Sequence, residues 1–386
     1  AARWVHDTLL FFDERELKFR PLLAKSWRYV NPLTIEFDLR DDIRYQDGSV
    51  FDADDVVYTL NWMTHPKTKS RAKRSWTWVK KVEKLGPWKV RFHAKRVTGD
   101  ALLRLAYTTP IYPSDVHATY KVKSNFGKKP VGTGPYKAIS VNVKKGEVVL
   151  VPHPGHKHGG TWKVAANIGR LVLREIPSRQ TQVAQLFTGG VDVIRNPVRD
   201  QVPLLRKDPR LNVAIRQNLG IAYMSMDALN RSGAKPLSDV RVRRALAMSL
   251  DRKKIADAVF AGGRTLDGMC LKLQFSCAYS TKPPPYDPVA AKKLLAEAGY
   301  PNGFDVEITA LTGLLKPVGE AMSGAFRKIG VRAKVQTLSF GVYRKKSNTG
   351  KLQVLAGWYT SGGLPDGSMW LDFFFSPTGR NYWRGK

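Results

Sequence analysis

An α/β fold built from more than one domain is predicted by three features of this sequence. It has 386 residues, enough for two hydrophobic cores. Hydrophobic residues make up 43% of it, yet no apolar run approaches the roughly eighteen residues that a membrane-spanning helix needs. From about residue 171 onward, short apolar or alternating segments take turns with longer segments of helical period, the pattern of strands and helices in α/β layers.

Early in the chain, Thr34 to Arg40 alternates apolar and polar residues and predicts a strand, as do Lys89 to Ala94 and Gly146 to Val151. Gln46-Asp47-Gly48 predicts a turn. The run from Asp52 to Leu60 opens with acids and continues with helical spacing. Asp52 is the expected N-cap, and Asp54 and Asp55 complement the positive end of the helix dipole. Leu171-Val172-Leu173 and Val191 to Ile194 read as short strands, with a helix over 178–187 closed by Gly189-Gly190. Helical segments follow over 239–260 and 288–298. Gly299 supplies the left-handed stop of the second, and Pro301 stands just beyond it. Phe304 to Ile308 and Val331 to Val335 are strands with a helix between them.

Charge is the unusual bulk property. Lys and Arg total 64 against 32 Asp and Glu, a formal charge of +32. Such a surface attracts polyanions and anionic ligands. The basic residues are spread along the chain, however, and no zinc-finger spacing, aromatic RNA-binding strand or helix-turn-helix signal accompanies them, so no nucleic-acid partner is expected. Cys270 and Cys277 lack metal-knuckle spacing and nearby histidines. In an oxidising compartment they would close a small disulfide loop; two buried thiols are the alternative.

Several motifs that suggest chemistry are better read as structure. The Asp47 and Asp52–Asp55 cluster is explained by a turn and a helix cap rather than by acid catalysis. Gly132-Thr133-Gly134-Pro135 lacks the Lys-Ser/Thr of a phosphate loop and is expected to turn the backbone tightly between strands. His153, His156 and His158 fall in an expected surface loop flanked by Pro and Gly, and no metal site is assigned to them. No nucleophile elbow occurs, so no catalytic residue is assigned.

Six stretches carry a resemblance. Leu23-Ala24-Lys25-Ser26-Trp27 comes first, then Phe37 to Arg40 with Tyr45 to Val56. Val131-Gly132-Thr133-Gly134-Pro135-Tyr136 follows. Pro236 to Leu246 with Asp251-Arg252, Tyr286 to Tyr300, and Gly357-Trp358 complete the series. Together, and in this order, they resemble the peptide/opine/nickel family of extracytoplasmic solute-binding proteins that serve ABC importers. The resemblance implies a two-lobed fold of the large type: residues 1–216 in lobe one, with an inserted subdomain at about 30–150, and 217–386 in lobe two, with the crossover near residues 218–226. It implies a periplasmic or other extracytoplasmic location, a precursor with a signal peptide, and a C-terminal return segment to lobe one that this sequence does not include. It implies a monomer that needs no cofactor, takes a small ligand such as a peptide, opine or sugar conjugate, and docks on a membrane permease. A basic polyanion-binding protein and a hydrolase using the same cleft are the alternatives.

The ligand-binding residues expected on this basis are Trp358, Tyr359, Thr360, Ser361 and Asp366 in the loop after a strand over 352–356, with Tyr223, Trp76 and Tyr107. Strand carboxyl ends collect ligands in α/β sheets, small residues let the backbone approach them, and aromatics supply apolar contact and cation stacking. Trp76 and Trp78, two apart, would face opposite ways in extended chain, with ordinary core as the other reading of the pair. In peptide-binding relatives an Asp three residues after the Trp pairs with the peptide amine; here that position is Ser361, which argues against a simple peptide ligand and for a neutral or anionic group. A nearby acid such as Asp366 is the alternative partner for an amine. If the lobes close on a ligand by a hinge, small-angle scattering will show a smaller radius of gyration with ligand than without. An unchanged radius with a confirmed ligand would count against closure.

Overall fold

The computed structural model describes residues 2–68, 76–156, 165–197, 199–215, 219–260, 263–268, 270–271, 274, 277, 282–311, 315–360 and 366–367. The chain divides into two compact units, Ala1–Arg195 and Asn196–Lys386.

The first unit is built on antiparallel sheets. β1 (Leu10–Asp13) and β2 (Lys18–Pro21) form a hairpin. β3 (Ala24–Asn31), β4 (Thr34–Leu39), β5 (Val79–Gly86) and β6 (Lys89–Ala94) form a four-stranded sheet in the order β3-β4-β6-β5. β4 is nearly all buried, and its Phe37 meets Phe92 of β6 edge-on, the centroids 5.2 Å apart. On the same sheet Glu36 is buried between Arg28 and Arg91, whose hydrogen bonds hold its carboxyl below the usual range. The helix Ala53–Thr64 covers the core. Asp52 caps it by accepting from the Asp54 and Asp55 N–H groups, and the Asp55 carboxylate returns to the Asp52 N–H, a complete capping box. β7 (Tyr136–Asn142), β8 (Glu147–Pro152) and β9 (Leu171–Arg174) make a further antiparallel sheet.

Four expectations are corrected here. Val191–Ile194 is not a strand, and Val193 is 79% exposed. Trp76 and Trp78 do not alternate: residues 76–78 form a turn ahead of β5, and both indoles lie in the core at 1% exposure. His156 is not on the surface; its side chain is 3% exposed, with Nε2 3.7 Å from Asp7 Oδ2. Gly132 and Gly134 serve close packing rather than a simple turn. A methyl group at Gly132 would lie 1.9 Å from the Val5 carbonyl oxygen, and one at Gly134 2.5 Å from that of Trp4.

The two glycines belong to a buried junction that ties three remote segments together. The Gly134 N–H donates to the Val5 carbonyl at 2.9 Å, and the Thr133 hydroxyl donates to Asp7 at 3.1 Å. Gln46 sits among them: its amide donates to the carbonyls of Val5, Gly134 and Tyr136, and its side-chain oxygen accepts from the Gly132 N–H. These bonds engage both the nitrogen and the oxygen of the Gln46 amide, which is why a long amide is tolerated in the interior.

The second unit holds a mixed sheet in the order β10-β13-β11-β12, from β10 (Gly220–Met226), β11 (Asp305–Leu311), β12 (Arg332–Leu338) and β13 (Val354–Thr360). β11 runs parallel to β12 and β13, and helices Lys316–Lys328 and Phe340–Asn348 make the crossovers; β10 alone is antiparallel. The expected helical stretch 239–260 is two helices, Val240–Met248 and Arg252–Val259, each with its own Asp cap, Asp239 and Asp251. The second cap restarts the hydrogen-bond ladder with a side chain, so the chain turns there. Gly299, with φ +91°, ends the helix Pro288–Glu297 as expected. Cys270 and Cys277 are joined by a disulfide with Cα atoms 5.7 Å apart.

Candidate functional site

β13 pairs with β10 through Thr360, but with β11 only through Ala356. The ladder on the β11 side therefore stops where the residues Gly357-Trp358-Tyr359-Thr360 begin. A strand carboxyl end that parts from its parallel neighbour is the usual place for a ligand in an α/β sheet.

Register sorts the side chains there. Tyr223 of β10 lies opposite Gly357, and Ala222 opposite Trp358. Cross-strand partners share a face and successive residues alternate, so Tyr223 and Tyr359 fall on one face and Trp358 on the other. The glycine is required by the tyrosine: a methyl group at Gly357 would lie 2.4 Å from Cζ of the Tyr223 ring. On the opposite face Trp358 stacks on Phe260 at 5.7 Å and 25°, and packs partly into the core of this unit. Trp358, Tyr359 and Tyr223 are all half-buried, Thr360 is exposed and Asp366 is 5% exposed. Ser361 lies outside the described residues. What results is a strand end flanked on both faces by aromatic surface that is neither fully buried nor fully free, suited to an organic ligand with an apolar part.

The two remaining expected residues are in the first unit. Trp76 is in its core. Tyr107 donates to Glu14 at 2.5 Å and lies under the Arg3 guanidinium at 4.7 Å; burial first, then Glu14, raises its phenol pKa.

Phe260, which directly follows the basic helix Arg252–Val259, was not among the expected site residues. Equally illegible was an aromatic nest around His117. Its imidazole is 2% exposed, stacked on Tyr112 at 4.8 Å and 8°, with Trp62 and Phe126 edge-on, and Nδ1 is 2.7 Å from the Tyr58 hydroxyl. Among the described residues no three His, Cys, Asp or Glu side chains are arranged to hold a metal ion, and no helix is long and apolar enough to cross a membrane.

The family model of bacterial extracellular solute-binding proteins, family 5 (middle) matches residues 18–382. Heme-binding protein A of Haemophilus influenzae is 28% identical over 95% of this chain and 71% of its own length. Di/tripeptide-binding protein 1 of Pseudomonas aeruginosa is 27% identical over 96% and 73%. Among solved structures, the periplasmic binding protein DppA of Helicobacter pylori in complex with the peptide STSA superposes with a TM-score of 0.78 at 24% identity, over 95% of this chain and 74% of that one.

Proposed function

Because this chain belongs to the bacterial extracellular solute-binding proteins of family 5, the two-lobed binding proteins of ABC importers, we propose that it takes up a small polar organic ligand with an apolar part at the carboxyl end of β13. The observation that carries the proposal is the pair of aromatic surfaces at that strand end, Tyr223 drawn across Gly357 on one face and Trp358 backed by Phe260 on the other. A ring held by a second ring loses little freedom on binding, so its contact area converts efficiently into affinity. The curated relatives include a heme-binding and a di/tripeptide-binding protein, so a peptide-like solute is the first class to test and a larger apolar one the second.

The serine at position 361 offers a hydroxyl and no counter-charge, so the ligand is one that does not depend on a carboxylate there. The formal charge of +32 draws anionic solutes in, acting on the rate of capture more than on affinity. The reading involves no bond-making step; the protein hands its ligand to a membrane permease.

Calorimetry on the intact chain tests this. Ligands are identified first by native mass spectrometry of protein from its own host. Trp358→Ala and Tyr223→Ala are then each expected to weaken binding about tenfold or more, the ordinary loss for an aromatic contact. Melting curves check that each variant is folded. Unchanged affinity in both folded variants would sink the assignment. Tight binding of free dipeptides that is lost on N-acetylation and in Asp366→Asn would show that the amine is held after all, by Asp366.

A further inference from the structure

A cavity of ≈ 600 Å³ opens in the second unit between the helix Val240–Met248 and the segment Lys282–Pro285. Its apolar lining is Val240, Ala247 and the run Pro283-Pro284-Pro285; its polar lining is Arg243, Arg244 and Lys282. None of these residues belongs to β10 or β13.

The charge balance of this cleft is uneven, and local bonding explains why. Three acids lie in the sequence around it, and each is engaged; Asp287 caps the helix Pro288–Glu297 by accepting from the Ala290 N–H at 2.9 Å. Asp239 accepts from the Arg241 N–H at 2.8 Å and pairs with the Arg241 guanidinium at 2.7 Å. Asp251 caps the next helix by accepting from the Lys254 N–H at 2.9 Å. Arg243 points one nitrogen at the carbonyls of Leu237 and Ser238, at 2.8 and 2.9 Å, which fixes the plane of its guanidinium while its other N–H groups stay uncommitted to them. Among the described residues, no carboxylate lies within 4.0 Å of Arg244 or Lys282. Three cations thus border one cleft that holds no anionic side chain in its lining.

We propose that this cleft is a second binding site, for a small amphipathic anion: a carboxylate or phosphate group held by Arg243, Arg244 and Lys282, with an apolar group laid against the three prolines. The volume is that of an ordinary small-ligand site. Guanidinium groups match both headgroups through paired N–H donors, and Arg243 is already oriented. The proline run has few conformations to lose, so the apolar wall is in place before the ligand arrives.

The intact protein is titrated by calorimetry with benzoate, with phenyl phosphate and with neutral benzyl alcohol. Saturable one-to-one binding of at least one anion is expected, with no binding of benzyl alcohol, and the tighter anion names the headgroup. The Arg244→Ala/Lys282→Ala variant should weaken that binding about tenfold or more. Trp358→Ala should leave it within about twofold, which separates this site from the strand-end site. Both replaced side chains are exposed, and a melting curve checks the fold; Arg244→Lys, which keeps the charge, should restore part of the affinity in a folded protein. No saturable binding, equal affinity in the double alanine variant, or loss of binding in folded Trp358→Ala would each overturn the proposal.

Discussion

Gly132→Ala should destabilise the protein by about 3 kcal/mol or more, because the new methyl group can be accommodated only by moving backbone. It would stand 1.9 Å from the Val5 carbonyl oxygen and 2.7 Å from His6 Nδ1. The carbonyl belongs to the segment that donates and accepts at the buried junction, so pushing it away also breaks the bond from the Gly134 N–H to Val5 and strains those from Gln46. Each buried polar group so orphaned costs about 1–3 kcal/mol. Urea or thermal melting would register the change, with Gly127→Ala as the reference: nothing lies within 4 Å of a methyl group there, and about 0.5 kcal/mol or less is expected. A Gly132→Ala protein as stable as the Gly127→Ala protein would refute this account of the motif.

Acidification should remove about 3 kcal/mol of stability through His117 alone. Burial, and to a lesser degree the nearby Lys123 charge, lowers its pKa from the ordinary 6.5 to about 4. The unfolded chain therefore takes up a proton near pH 6.5, whereas the folded protein resists until about 4. Stability contributed by neutral His117 is complete above pH 6.5, declines as pH falls through that window, and is gone below 4. In His117→Phe the stack of rings is kept and the titration is lost, although the Tyr58 hydroxyl loses its hydrogen-bond partner. The difference in unfolding free energy between the two proteins, measured from pH 7 to 4, should shrink or reverse by that amount. His153, whose pKa burial also lowers, is present in both proteins and cancels. A difference independent of pH would contradict the assignment.

Features that depend on neighbours in sequence were legible before the structure. Lys89–Ala94 alternates because one face of its sheet is buried, and the acids from Asp52 to Asp55 make a capping box within four residues. The α/β class and the solute-binding family were legible for the same reason, as each motif is a short local run. What was hidden depends on partners far along the chain. Gly132 reads as a turn glycine until Val5 is seen beside it. Trp76 reads equally as a cleft aromatic or as core, and only the fold, which buries it in the core, decides between them. Val191–Ile194 has a strand-like composition, but strand formation needs an edge to pair with, and a composition cannot say whether one is there. At the strand end, the sequence reading of residues 357–360 as loop is corrected by the structure: β13 runs Val354–Thr360, its last four residues held by pairing with β10. That Tyr223 and Trp358 fall on opposite faces follows from the register of β10 against β13, which no single segment encodes.

The junction around Gln46 also constrains the order in which the chain can become a protein. Residues 5–7 find backbone and hydroxyl partners at positions 46, 111 and 133–134. During synthesis that segment must wait for these partners until residues 133–134 have followed it. Pairings of such long range form late and slowly. Pulse-labelling hydrogen exchange during refolding would show the lag directly: the Gly134 amide, which donates to Val5, should gain protection after the β4–β6 ladder does, and simultaneous protection would argue against a waiting segment.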